Sequence, residues 1–186
     1  RPAYYSPRNT FTRPIRTLNL QASMFTDTHC HIHEANYPDA EEALKRAKEA
    51  GIDRLICVGT DEKTSGEAVN FAKTHDNCWA SLGIHPHEAK DNDVEKLALL
   101  LAGGAEKAVA IGECGLDYFY DHSPREKQIE TLHQQIELAQ KYDLPLIFHA
   151  REAFDDFWPI FDQYQGLRGV LHSFTDTREN MHKALE

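Results

Sequence analysis

The sequence lacks several features that would each indicate a particular class of protein. No uninterrupted apolar run approaches the length of about 18 residues that a membrane-spanning helix needs. No short apolar segment near the start resembles a secretory signal, and the cysteines form no CxxC pair. No glycine-rich segment follows the first predicted strand, which argues against a dinucleotide-type phosphate loop.

Basic residues are outnumbered, with 20 Lys and Arg against 30 Asp and Glu, and the net charge is −10. This balance argues against a broad electrostatic nucleic-acid surface, but it does not exclude a nuclease that grips phosphate through metal ions. The four cysteines lie in or beside predicted strands, which is typical of buried free thiols in a reducing compartment. We therefore expect a cytoplasmic protein without a membrane partner; the cysteines are Cys30, Cys57, Cys78 and Cys114.

The first 23 residues differ in composition from the rest of the chain. They contain three prolines and four arginines, no acidic residue and no clear periodicity. An organelle transit peptide is one interpretation, and upstream or artefactual sequence before a start at Met24 is the other. The leading arginine favours the second. We expect residues 1–23 to be a non-family extension, disordered or artefactual, and residues 24–186 to form one domain.

From Met24 onward, apolar runs alternate with amphipathic segments. The fourth predicted helix follows Ser123-Pro124-Arg125-Glu126, a sequence typical of a capping box with proline at the first helical position. Continuously apolar strands that alternate with helices indicate a parallel sheet in an α/β fold. The predicted strands cover residues 25–29, 54–59, 79–83, 108–112, 144–148 and 170–171.

Histidine and glutamate side chains follow the ends of most of these strands. In a doubly wound sheet, functional residues gather at one switch point, whereas in a barrel they come from the ends of many strands. The pattern therefore predicts a TIM-type (β/α)8 barrel, of which the first six βα units are present. The residues in question are His29, His31, His85, Glu113, His149 and His172.

These residue types together predict a metal centre. Alternation along a strand directs His29 and His31 to the same side, where they could grip one ion. A single histidine such as His149 could instead be a core residue bonded to a carbonyl, and His172 has the same alternative. Glu113 is harder to dismiss, because an unpaired carboxylate after a buried strand is costly.

Four histidines and a carboxylate are too many for one catalytic zinc, which usually has three protein ligands, and they suit two metals that share Glu113. His29 and His31 would hold one ion, and His149 and His172 the other. A bridging water would then be activated between the ions at Glu113. Zinc, manganese, cobalt, nickel or, less favourably, magnesium would suit such nitrogen and oxygen donors.

Five ordered motifs carry a resemblance to a known family: DTHCH at 27–31, GIHPH at 83–87, GECGLDY at 112–118, LPLIFHAREA at 144–153 and GVLHSF at 169–174. The sequence resembles the TatD family of metal-dependent deoxyribonucleases, among the amidohydrolase-like metallo-hydrolases. The resemblance implies a TIM-like barrel and hydrolysis of DNA phosphodiester bonds, typically exonucleolytic. It maps His29, His31, Glu113, His149 and His172 onto metal ligands. It also makes His85 and Arg151 substrate-facing, while His87 is expected to be structural or solvated.

One departure from the family pattern concerns the end of the chain. The family barrel has eight strands, and its last strand carries a Thr-Asp-Ser/Ala-Pro-type segment whose aspartate completes the first metal site. Nothing similar follows His172, so we expect a C-terminally truncated member with reduced activity. Two alternatives stay open at this point: an amidohydrolase or phosphatase on the same barrel, and an inactive metal-binding remnant.

Overall fold

A computed structural model describes residues 25–186 of the chain, so the expectation for residues 1–23 lies outside the described part. Six strands form one sheet in sequence order, and each is parallel to the next. The strands are β1 (Phe25–Cys30), β2 (Ile52–Val58), β3 (Cys78–Leu82), β4 (Ala108–Asp117), β5 (Leu146–Arg151) and β6 (Gly169–Leu171). The helices are α1 (Ala40–Glu49), α2 (Glu62–Thr74), α3 (Val94–Ala102), α4 (Arg125–Tyr142), α5 (Phe154–Phe161) and α6 (Arg178–Leu185). The predicted fold class, the first six units of a TIM-type barrel, is confirmed.

The hydrophobic core lies between the sheet and the helices. Leu82 of β3 and Ile111 of β4 are fully buried, and Leu97, Ile136 and Phe157 of the helices pack in the same cluster. Burying a side chain of this size stabilises the fold by roughly 1.5–3 kcal/mol. The central strands are therefore anchored from the helix side, and their carboxyl ends are held in place.

The capping box predicted for the fourth helix is wrong, although another helix does begin with one. Asp61 caps α2, since its side chain accepts from the Thr64 N–H while the Thr64 hydroxyl accepts from the Asp61 N–H. Helix α4, however, follows Pro124 and has no side-chain cap. The Ser123 hydroxyl instead donates to the His87 carbonyl at 2.7 Å and accepts from the Lys90 N–H at 3.2 Å. Because the Ser123 hydroxyl bonds to the backbone that follows β3, it does not cap α4.

Strand β4 continues past its predicted end at residue 112 to Asp117. Its second half stays in register with β5, where Gly115 lies opposite His149. A side chain at Gly115 would place its Cβ 1.8 Å from the His149 carbonyl oxygen, and the residue has φ +147°. Glycine is therefore required for this close approach. The extension carries Glu113 and Asp117 alongside β5.

Strands β1 and β6 form the two edges of the sheet in the described region, because each pairs with one neighbour. The four cysteines are free thiols, and three of them are buried. Among residues 25–186, no helix combines the length and apolar character needed to cross a bilayer.

Candidate metal centre

Glu113 lies at the middle of a group of histidines that end or follow three other strands. Its side chain is buried, and its two carboxylate oxygens face different partners. Oε2 lies 3.4 Å from Nε2 of His29, at the end of β1. Oε1 lies 3.1 Å from Nδ1 of His149 on β5 and 4.0 Å from Nε2 of His85, just beyond β3. One carboxylate therefore connects histidines on opposite sides of the site.

Two sets of side chains are close enough to hold a metal ion, and Glu113 belongs to both. In the first set, His29, His31 and Glu113 offer ligand atoms that all lie within 4.8 Å of one another. In the second set, His85, Glu113 and His149 meet the same condition. Imidazole nitrogens with a carboxylate oxygen are typical donors for zinc and neighbouring transition metals. The donor set is thus suited to the metal that the sequence predicts.

The structure places His172 and His85 on different neighbours at the site. The His172 ring stacks on His29, with ring centroids 3.5 Å apart and planes 9° from parallel. His85, which was expected to face substrate, lies in the second metal-capable set together with His149. The geometry therefore favours His85 in the second set, and the ligand role of His172 stays a prediction.

Burial sets the protonation of two of these histidines. Loss of solvent, reinforced by the nearby His149, lowers the pKa of His85 to about 3. Burial and the neighbouring His29 also lower the pKa of His172. Both rings are therefore neutral at pH 7, and the neutral ring is the form that binds a metal.

For Glu113 and His149, the charged neighbours outweigh the effect of burial on the pKa. Burial disfavours a charge on Glu113, but hydrogen bonds from His149 and His29 outweigh it and hold the pKa of the carboxyl well below its usual range. Burial likewise opposes a charge on His149, yet Glu113 and Asp117 outweigh it and raise the pKa of that ring. The site therefore keeps a carboxylate anion in a largely buried environment.

Asp117 was not among the residues singled out from the sequence, and it orients His149. The Asp117 side chain is almost fully buried, and its Oδ2 lies 2.9 Å from Nε2 of His149 and 3.0 Å from Nε2 of His87. This contact turns Nδ1 of His149 toward Glu113. His87 and His149 thus share one carboxylate oxygen of Asp117. The strand alternation could have identified Asp117, because positions 113, 115 and 117 point to the same side of a strand.

Two buried glutamines of α4 fix the strand ends that carry the site. Gln135 accepts from the Ile84 N–H at 2.8 Å and donates to the Ile84 carbonyl at 3.0 Å, directly before His85. Gln128 accepts from the Asp117 N–H at 2.8 Å and donates to the Asp117 carbonyl at 3.2 Å. Each amide satisfies a backbone donor and acceptor of an irregular segment that would otherwise be buried without partners. Their spacing of seven residues places both on one face of α4.

The two remaining predicted site residues lie at the open side of the centre. The His31 side chain is 38% exposed, and its Nδ1 is 3.5 Å from a carboxylate oxygen of Glu34. Arg151 ends β5, in register with Asp117. Its guanidinium carbon lies 4.0 Å from the ring centroid of Phe119 and 4.8 Å from that of Tyr120.

Comparisons with known proteins agree with this geometry. A sequence model of the family described as TatD related DNase matches residues 26–186. The uncharacterized metal-dependent hydrolase YabD of Bacillus subtilis (strain 168) is 39% identical over 160 residues, which cover 84% of this chain and 63% of YabD. The 3'-5' ssDNA/RNA exonuclease TatD of Erwinia tasmaniensis is 36% identical over 151 residues, which cover 79% of this chain and 58% of that protein.

A solved structure gives the same result in three dimensions. The crystal structure of YjjV, a TatD homolog from Escherichia coli K12, matches with a TM-score of 0.79 and 32% sequence identity over 87% of this chain and 64% of YjjV. The chain therefore spans less than two thirds of the length of these relatives. Because the family model covers nearly all of the described residues and the same region matches in sequence and in structure, the chain belongs to the TatD related DNase family.

Proposed function

We propose that this chain is a divalent-metal-dependent hydrolase that cleaves DNA phosphodiester bonds from a strand end. The observation that carries the proposal is the arrangement of Glu113, whose two oxygens face His29 on one side and His149 on the other. The likeness to a 3'-5' ssDNA/RNA exonuclease supports single-stranded nucleic acid as the substrate class. The hydrolase domain in this proposal comprises residues 24–186.

The two metal-capable sets suggest two ions with Glu113 between them. His29 and His31 would hold one ion, and His149 would hold the other together with His85 or His172. Divalent ions bound there supply charge stabilisation for a phosphoryl group and acidify a water molecule. The histidine-rich donors favour zinc, manganese, cobalt or nickel over magnesium.

The side chains of the chain itself have separate tasks in this proposal. Glu113 is the catalytic residue, because a carboxylate held as an anion offsets the repulsion between two closely spaced cations. Asp117 keeps His149 turned toward Glu113. Arg151 presents planar N–H donors that match a phosphate group, and it makes no ion pair within residues 25–186.

The proposal is tested by cleavage of end-labelled single-stranded DNA with added divalent metal. We expect Glu113→Gln to lower the cleavage rate by about a hundredfold or more, because the variant removes the anion at which both sets meet. His85→Ala should have a smaller effect. Glu106→Gln is the matched control, since Glu106 is an exposed acid just before the same strand.

Two results would contradict the proposal. Turnover by Glu113→Gln at the rate of the Glu106→Gln control would remove Glu113 from the chemistry. Hydrolysis of small amides or phosphate monoesters by the wild-type chain without any cleavage of DNA would favour an amidohydrolase or a phosphatase instead.

A further inference from the structure

We propose that Phe119, Tyr120 and Arg151 form a nucleobase platform, on which an unpaired base of the substrate strand stacks while its phosphate contacts Arg151. This inference rests on the proposed function and adds to it a specific base-binding surface. It predicts that the protein distinguishes strands that carry accessible bases from strands that do not.

The first observation is the exposure of two neighbouring aromatic rings directly after a buried strand. Phe119 is 49% exposed and Tyr120 is 50% exposed, although the last eight residues of β4 are buried. The two ring centroids lie 4.7 Å apart with the planes at 89°. Water contact with so much aromatic surface is unfavourable, so the arrangement needs a reason.

The exposed rings belong to a fixed turn. Oδ1 of the buried Asp117 accepts hydrogen bonds from the Phe119 N–H at 3.1 Å and from the Tyr120 N–H at 3.0 Å. The same carboxylate contacts His149 through its other oxygen. The turn that presents the rings is therefore anchored to the residue that orients the metal centre.

The second observation is the position of Arg151. Its guanidinium lies over Phe119 and Tyr120, at 4.0 and 4.8 Å from the ring centroids, within the range of cation–π attraction. No carboxylate within residues 25–186 forms an ion pair with Arg151. Stacking on the rings holds the guanidinium in place and leaves its N–H groups able to bind a phosphate oxygen. Aromatic faces beside an unpaired cation match the two parts of a nucleotide.

The platform is continuous with the metal centre. The His85 and His87 rings are 4.3 Å apart, and the His87 and Tyr120 rings are 5.5 Å apart. Arg151 follows His149 by two positions on β5, so both side chains point to the same side of the strand. A base on Tyr120 would therefore bring its own phosphate toward the side of the sheet that carries the metal ligands.

The expected ligand is a strand with accessible bases. Every nucleobase has an aromatic face, so stacking of this kind does not depend strongly on sequence. In a duplex both faces of each base are covered by its neighbours, which leaves a single strand or a frayed end to use the platform.

The inference is tested by binding in the presence of EDTA, where metal-dependent cleavage does not occur. The probes are a fluorescein-labelled thymidine oligonucleotide and an abasic strand of the same length, each measured by fluorescence anisotropy. Tyr120→Ala and Phe119→Ala should weaken binding of the intact strand by about 5- to 150-fold, the range expected for loss of one stacked base. The abasic strand should bind wild type weakly and should hardly respond to either substitution.

Two further variants control for trivial effects. Tyr120→Phe keeps the ring and should keep the affinity of wild type for the intact strand. Leu99→Ala removes an exposed apolar side chain from α3, on the outer layer, and should leave binding unchanged. An RNA strand of the same length should show the same relative loss in Tyr120→Ala, because stacking does not read the 2′-hydroxyl.

The possible outcomes separate the platform from the enzyme activity. Equal affinity of wild type for intact and abasic strands, or failure to bind either, would overturn the platform even if DNA were cleaved. A loss in Tyr120→Ala that also appeared with the abasic strand would likewise overturn it. Base-dependent binding without cleavage in the presence of metal would support the platform and overturn the proposed hydrolase instead.

Discussion

Glu113 is both buried and charged, and its charge is stabilised by the histidines around it. A buried carboxylate without partners would take up a proton, but imidazoles from β1 and β5 keep this one ionised. In the same site His85 stays neutral, because burial acts on it without a close hydrogen-bonding acid. The site thus keeps the Glu113 carboxylate charged while His85 beside it stays neutral.

The metal ligands can be ranked by comparing His85→Ala with His172→Ala. We expect His85→Ala to weaken binding of the second divalent ion by more than the roughly 10–100-fold typical of an outer partner, because His85 lies within the second metal-capable set. His172→Ala should have the smaller effect, since His172 stacks on His29 outside that set. Isothermal titration with zinc measures both affinities.

His182→Ala is the matched control for that comparison, because His182 lies exposed on α6. A larger loss of zinc affinity in His172→Ala than in His85→Ala would return His172 to the second metal site and make His85 a substrate-facing residue. That result would support the assignment made from the sequence.

At the residue scale, the sequence predicts which side chains gather but not how they pair. His29, Glu113 and His149 follow apolar runs, and parallel strands bring such positions to one rim. Whether His85 or His172 reaches Glu113 depends on the direction of the chain beyond β3 and β6, which the local pattern does not contain. Asp117 lies beyond residue 112, where the local apolar pattern predicts the end of β4.

At the scale of secondary-structure elements, α4 acts as a support for two strand ends. We expect Gln135→Ala to lower the free energy of unfolding by about 2–5 kcal/mol, because the Ile84 N–H and carbonyl would both lose a buried partner. Gln134→Ala, at the neighbouring exposed position of the same helix, should change stability by less than about 0.5 kcal/mol. Urea unfolding in EDTA measures both. Equal values for the two variants would mean that the Gln135 contacts do not contribute to stability.

A pH-dependent contact joins α1 to the end of α2. Nε2 of His75 lies 3.0 Å from a carboxylate oxygen of Glu41. Partial burial opposes the charge on His75, but the bonds to Glu41 and to the Phe71 carbonyl outweigh it and raise the pKa of the ring above 6.5. Folded protein therefore binds this proton more tightly than unfolded protein, so the contribution is complete below about pH 6.5 and is lost as pH rises through the raised pKa.

The corresponding variant is Glu41→Gln. Its stability deficit relative to wild type should be larger at about pH 6 than at about pH 8.5, with the difference below about 1 kcal/mol because Glu41 is exposed. Glu42→Gln, an acid in the same first turn of α1, is the control for pH-independent effects on the helix. A deficit that grew toward high pH would have the wrong sign and would exclude this origin.

The element boundaries show what local patterns determine. The cap at Asp61 was predictable, because both partners of its box lie within four residues of each other. The end of β4 was not predictable, because the glycines at 112 and 115 locally suggest a turn. In the structure they allow the close approach of β5 instead. Ser123 shows the same limit, because its hydroxyl bonds to His87 and Lys90, which are far away in sequence.

At the scale of the whole molecule, the alternation of strand and helix from Met24 onward was enough to predict the parallel sheet and its order. Right-handed connections between successive parallel strands leave few other arrangements. Within the described region, β1 and β6 remain as edges, because a sheet of six strands does not close as an eight-stranded barrel does. The structure adds which side chains stand at those edges.

Edge pairing gives a prediction for the whole chain in solution. Val170 of β6 is 54% exposed, beside backbone groups that pair on one side within the described sheet. Such an edge promotes association with another copy, and a lysine on it opposes association. We expect the 186-residue chain to self-associate as its concentration rises, and Val170→Lys to reduce that association in sedimentation equilibrium. Leu99→Lys places the same charge on an exposed position of α3 and should leave association unchanged. Equal reduction by both variants would mean that net charge, and not the edge of β6, controls association.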